Sequence, residues 1–221
     1  MRKETVEQKV YQLIKNAILR RQIAPGNQLF ESAIAAKVNA SRTPIRSAIS
    51  KLEAEGLVDV IPNKGAFIVQ PTMEEMIQAF EMRKVLEEMA IREGYSKLVK
   101  THIALLKSHT EEMSKAFEAG DMLVYHEQNK TFHLIMANAS GNRYLIDFME
   151  RILNQITIYM ILYDVFREND ENDLLEHHQM IQLIEKNDKE SLLEVVKEHL
   201  NHSLTKLEND KHKYQSLTKL F

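Results

Sequence analysis

Three histidines are set apart by the company their spacing gives them. His133 follows Asn129 by four residues, so on a helix the two project from one face toward the same point. His177 shares its face with Leu174, Met180, Ile181 and Ile184, whereas its neighbour His178 aligns with Gln182 and Glu185. His199 aligns with Leu192, Val195 and Val196, while His202, beside Glu198, Thr205 and Lys206, lies nearer a polar edge. Three imidazoles from three helices, each amid apolar residues, are too costly to bury without partners. Either they hydrogen-bond one another or they share a metal. The chain has no cysteine, so any metal must be held by His, Asp, Glu or an amide oxygen. Three imidazoles and one oxygen, with positions left open, suit Zn, Ni or another first-row divalent ion.

A second group of residues points to a different chemistry. Arg42 and Arg46 are four apart and share a face at the start of a helix, where guanidinium forks can pair with guanine edges or phosphates. Ser41 and Thr43 add hydroxyls, and the free amides of a helix N-terminus favour an anion. Asn63, Lys64 and Gly65 lie at the tip of an expected β-hairpin, where they can reach an adjacent DNA backbone or minor groove.

These groups need elements to hold them. Val6, Val10, Leu13, Ile14, Ala17 and Ile18 recur at helical spacing until Pro25-Gly26 stops the pattern. A short helix spans about Ser32 to Val38, and Asn39, which tolerates positive φ, turns the chain into Ser41-Arg42-Thr43-Pro44. With Ser41 as N-cap and Pro44 in the first turn, a third helix runs to about Glu55, and Gly56 ends it. Its opposite face, Ile45, Ala48, Ile49 and Leu52, supplies core. Leu57 to Ile61 and Ala66 to Gln70 read as two strands around Pro62-Asn63-Lys64-Gly65. Three helices with a tight corner and a hairpin make a winged helix-turn-helix, whose third helix enters the major groove. Pro71-Thr72 reads as a linker. Beyond it the 3.6-residue period persists, predicting six or so helices. The expected architecture is mainly α: residues 1–70 a winged DNA-binding domain, residues 71–221 an all-α antiparallel bundle.

Composition agrees. The chain is 44% hydrophobic and 28% charged, as soluble folded chains are. Residues 1–70 carry eleven Lys/Arg against six Asp/Glu, so the basic end is the candidate for phosphate contact, although the whole chain is −3. The charged N-terminus lacks a signal-peptide core, and no apolar run could span a bilayer, so a cytoplasmic location without membrane contact is expected.

Ile23-Ala24-Pro25-Gly26-Asn27-Gln28-Leu29, then Glu31, then Ser41-Arg42-Thr43-Pro44-Ile45-Arg46, Leu52-Glu53, Glu55-Gly56-Leu57-Val58 and Pro62-Asn63-Lys64-Gly65-Ala66-Phe67 resemble the GntR family of bacterial regulators. The resemblance implies that Arg42, Thr43, Arg46 and the wing tip contact operator DNA. Glu81 to Glu87, Asn129-Lys130-Thr131-Phe132-His133 and Gly141-Asn142 are similar to the FadR-type (FCD) sensing domain. Many members of that branch hold a divalent metal with one Asp and three His and bind a small carboxylate beside it. Here that implies a site of Asn129, His133, His177 and His199, with Arg83 gripping an effector carboxylate; a plain intrahelical pair of Arg83 with Glu87 is the competing reading. The departure is Asn129, where the branch has Asp. The expected protein is a homodimeric, effector-responsive regulator, because one recognition helix reads few base pairs and a two-fold dimer doubles the site. Two other functions compete: a metal-dependent hydrolase, and a DNA-binding dimer whose helical part is only structural.

Overall fold

The structure is a computed structural model that describes residues 5–163 and 171–209. By internal contacts the chain divides between Pro71 and Thr72 into two compact units. The second expected domain runs on to residue 221, and its residues 164–170 and 210–221 lie outside the described residues.

In the first unit, α1 (Val6–Leu19) opens on a reciprocal cap between Thr5 and Gln8 and buries Val10, Ile14, Ala17 and Ile18. There follow β1 (Gln28–Leu29), α2 (Glu31–Val38), α3 (Arg42–Ala54), β2 (Val58–Ile61) and β3 (Gly65–Ile68). Asn39 closes α2 at φ 49°, in the left-handed region that a short polar side chain tolerates. That makes the corner between α2 and α3. Ile45, Ala48, Ile49 and Leu52 are buried, with α3 packed against α1. The sheet has three antiparallel strands in the order β1-β3-β2, one more than the expected hairpin. The added strand pairs Gln28 with Phe67 and Leu29 with Ala66. Two residues carry no readable alternation, which is why sequence patterning passes over β1.

The second unit comprises α4 (Met73–Gly94), a 3₁₀ turn (Tyr95–Lys97), α5 (Lys100–Glu118), α6 (Met122–Ser140), α7 (Arg143–Tyr163), α8 (Glu171–Glu185) and α9 (Lys189–Asn209). Thr72 is the N-cap of α4, its hydroxyl accepting from the Glu75 amide while the Glu75 carboxylate accepts from the Thr72 amide. Thr72 thus belongs to the helix rather than to a linker, as a capping box of the form Thr-x-x-Glu requires. The central helix α6 packs against α4, α5 and α7. Phe132, Ile135 and Met136 on α6 share one apolar cluster with Met180, Ile181 and Ile184 on α8 and Leu192, Val195 and Val196 on α9. Among the described residues no helix is long and apolar enough to cross a membrane.

Candidate metal centre and nucleic-acid interface

α6, α8 and α9 each contribute one imidazole to a cluster inside the helical unit. His133 and His177 are fully buried and His199 nearly so, whereas His178 is exposed, as the face analysis expects. Ring centroids lie 5.3 Å apart for His133 and His177, 5.3 Å for His133 and His199, and 4.8 Å for His177 and His199. One ring nitrogen from each falls within 4.8 Å of the other two.

The rings do not hydrogen-bond one another. Each commits its Nδ1 to an outer acceptor. His133 Nδ1 lies 2.9 Å from Glu87 Oε2, His177 Nδ1 2.6 Å from the Asp173 carbonyl oxygen, and His199 Nδ1 2.8 Å from Glu176 Oε2 and 3.2 Å from Asp173 Oδ1. Carbonyl and carboxylate oxygens only accept, so Nδ1 carries a proton, and in its neutral form each ring keeps its lone pair on Nε2. The Nε2 atoms of His133 and His199 are buried with no hydrogen-bond partner. That of His177 faces Asn129 Oδ1 at 3.0 Å, one acceptor against another. Turning the amide would relieve only His177. A cation shared among the three Nε2 atoms and Asn129 Oδ1 would relieve all of them, and Nδ1 held by an oxygen acceptor is the usual support for a metal-binding histidine. The residues present therefore fit a divalent ion.

The electrostatics favour the same state. Burial pushes the His133 imidazole down to about 3 against the pull of Glu87, and the His177 imidazole down to about 4 against that of Asp173. Both rings stay neutral near pH 7, the form that ligates. For Glu87, burial works to raise the carboxyl, but the facing His133 and the Arg83 guanidinium outweigh it and hold it well below the usual range. Asp173 is likewise held low: His199 and His177 overcome its burial, and it also accepts a hydrogen bond from the Tyr125 hydroxyl. Burial first, and the Asp173 carboxylate second, keep the Tyr125 phenol protonated.

Arg83 is 3% exposed. Its Nε donates to Glu87 Oε1 at 2.6 Å, the expected i,i+4 pair, but in the interior, and its Nη2 is buried without a partner. Sequence reasoning missed Glu87, Asp173 and Glu176 as members of the site. Asp173 could have been found, since it precedes His177 by four residues and shares its face. Glu87 was visible only as the mate of Arg83. Glu176 left no such signal, because its partners His199 and His202 come from another helix.

In the first unit Ser41, Arg42, Thr43 and Arg46 are all exposed at the start of α3. Ser41 occupies the N-cap position in extended backbone, yet its hydroxyl makes no capping hydrogen bond. The β2–β3 turn holds Asn63 at φ 62° and Gly65 at φ 104°, and leaves Lys64 exposed between them. The start of α3 and the strand tip thus both expose basic side chains.

Residues 6–68 match the family described as bacterial regulatory proteins, gntR family, and residues 78–202 match the FCD domain. The chain belongs to the GntR family and carries an FCD domain. It is 27% identical over 201 residues to the HTH-type transcriptional regulator YdhC of Bacillus subtilis, covering 90% of this chain and 89% of that one. To the HTH-type transcriptional repressor RspR of Escherichia coli it is 22% identical over 199 residues, covering 89% and 86%. A solved structure of a GntR transcriptional regulator from Rhodococcus sp. RHA1 has the same fold, with a TM-score of 0.76 at 19% identity over 93% of this chain and 99% of that one. This GntR-family protein is thus a DNA-binding transcriptional regulator.

Proposed function

We propose that this regulator binds operator DNA as a homodimer and that a small carboxylate, held beside a divalent metal in the helical unit, modulates its operator affinity. The observation that carries the sensing half is the convergence of three Nε2 lone pairs in a buried site, two of them without any partner. His133, His177 and His199 hold the ion, Zn or Ni by ligand type, with the Asn129 amide oxygen as a neutral fourth donor. When bound, the metal supplies a Lewis-acidic contact for a carboxylate oxygen. Arg83 supplies the complementary charge, because its Nη2 is buried with no partner of its own.

On the DNA side, Arg42 and Arg46 contact base edges or phosphates, Ser41 and Thr43 contact phosphates, and Asn63, Lys64 and Gly65 make the wing contact. Residues 1–70 are the DNA-binding domain and residues 71–221 the sensing and dimerisation domain. The dimer reading is supported by apolar side chains left in water: Met82, Val85 and Met89 on α4, and Tyr144 and Phe148 on α7, a helix packed against α4. Repression is the expected output by analogy with RspR, a repressor by name. By linkage, an effector that favours one conformation of the dimer shifts operator affinity by the same factor that operator shifts effector affinity.

The test is metal uptake by the full chain. After chelation and incubation with Zn or Ni, elemental analysis should find about one ion per chain, with a raised melting temperature. A chain that stays metal-free refutes the sensing site and leaves DNA binding intact.

A further inference from the structure

Glu31 stands in the first turn of α2, and Arg46 on α3. Arg46 Nε lies 3.0 Å from both Oε1 and Oε2 of Glu31, with side-chain exposures of 65% for Arg46 and 32% for Glu31. The carboxylate thus grips the guanidinium by its inner nitrogen alone. Neither Nη1 nor Nη2 makes a hydrogen bond to Glu31, so the outer fork, four N–H groups in one plane, remains free and solvent-facing. A long, half-free arginine ordinarily samples many rotamers, and fixing it on binding costs rotamer entropy. Here the side chain is braced before any partner arrives. The brace crosses the corner at Asn39, so one contact joins the two helices of the helix-turn-helix through their polar sides.

A carboxylate at a surface meant for phosphate is otherwise a liability, since it repels the DNA backbone and cancels one positive charge. Its presence makes sense if the gain is orientation. We infer that Glu31 is a positioning residue for sequence readout: it aims the outer fork of Arg46 at one guanine edge, O6 and N7, so that discrimination at that base pair, rather than general affinity, depends on it. The inference rests on α3 being the recognition helix.

The sign of the effect separates this role from others. Removing the Glu31 charge relieves repulsion of phosphate, so non-specific binding holds or tightens. It also frees Arg46, so preference at one base pair falls. A purely structural contact would weaken every position together and lower the melting temperature.

The experiment uses the full chain and a library of duplexes with a randomised centre. Wild type, Glu31→Gln, Glu31→Asp and Arg46→Ala are each put through selection, followed by titration on the selected duplex and on single-base variants of it. Wild type should select a guanine at a fixed position, and Arg46→Ala should lose it. Glu31→Gln should keep the rest of the site but lose about 10-fold in discrimination at that same position, with equal or tighter binding to unrelated duplex and an unchanged melting temperature. Glu31→Asp, which keeps the charge one methylene back, should recover part of the preference. If Arg46→Ala flattens one position while Glu31→Gln selects the wild-type site unaltered, the positioning role is overturned and the recognition helix stands. If Arg46→Ala itself selects the wild-type site, Arg46 reads no base and the inference is overturned; if Arg42→Ala does so as well, the recognition-helix reading fails with it. A uniform loss at all positions in Glu31→Gln, with a lowered melting temperature, makes the contact structural and also overturns the inference.

Discussion

Glu87 joins Arg83 to His133 through its two carboxylate oxygens, Oε1 at 2.6 Å from Arg83 Nε and Oε2 at 2.9 Å from His133 Nδ1. The effector-binding candidate and a metal-ligand candidate are therefore mechanically one unit, held by a single buried anion on α4. A carboxylate that drew Arg83 toward it would act on the His133 ring through Glu87.

That linkage makes Glu87→Gln informative. The amide preserves shape but leaves the Arg83 charge buried without its counterion, a loss of about 3–5 kcal/mol for breaking a buried pair from one side. The amide also leaves one acceptor oxygen where Arg83 Nε and His133 Nδ1 had two, and takes away the charge that supports the ring, which should weaken metal binding by roughly 10–100-fold. Urea melts read the first effect and Zn titration the second. Wild-type stability in the variant would show that Arg83 finds another partner.

The depressed histidines set a pH dependence for the metal-free chain. His133 lies at about 3 and His177 at about 4 in the folded state, against an ordinary value near 6.5. Between those limits the unfolded chain binds protons that the folded chain does not, so stability rises with pH there. It is fully present above about pH 6.5 and is lost as pH falls toward 4, at up to about 1.4 kcal/mol per pH unit for each ring. Melting temperature against pH, measured with chelator present, should fall steadily across that window. A flat profile would mean that the imidazoles are already charged when buried.

The winged unit was legible almost throughout, because each of its parts writes a local signature: Asn39 for the left-handed corner, Ser41 and Pro44 for the start of α3, and Asn63 to Gly65 for the strand turn. The inward histidines were legible for the same reason, since apolar neighbours at helical spacing betray a buried face. What escaped was set by long-range pairing. β1 exists only because β3 offers Ala66 and Phe67 as partners. Glu176 enters the site through α9, and the grip of Glu31 on Arg46 spans fifteen positions. A charge in a sequence looks the same whether it faces water or a guanidinium.

Gly94 tests the packing that carries the site. At the end of α4 a Cβ would come within 2.6 Å of the Ser140 amide nitrogen and 2.9 Å of the Ala139 carbonyl carbon, both main-chain atoms of α6. Alanine ordinarily gains about 1 kcal/mol over glycine inside a helix. Here the backbone of α6 cannot yield as a side chain would, and forced separation of packed helices costs about 1–3 kcal/mol. Gly94→Ala should therefore lower the urea midpoint despite its better helix propensity. Because α4 bears Arg83 and Glu87, and α6 bears Asn129 and His133, metal affinity should fall with it. An unchanged midpoint would mean that the two helices separate at little cost.

Asn129→Asp restores the carboxylate that the FCD resemblance places at that position, and its two effects have opposite signs. Without metal, a new anion would sit 3.0 Å from a lone pair on His177 Nε2, in partly buried surroundings with no compensating donor, so the apo chain should be less stable than wild type. With metal, a charged oxygen replaces a neutral one among three imidazoles, which should tighten Zn binding by 10-fold or more, on the order of 1.4 kcal/mol. The two melting curves, with chelator and with saturating Zn, should therefore move apart on substitution, the apo curve falling and the loaded curve rising. Parallel destabilisation of both would show that the position 129 oxygen is no ligand, and that the amide serves only to satisfy the His177 ring.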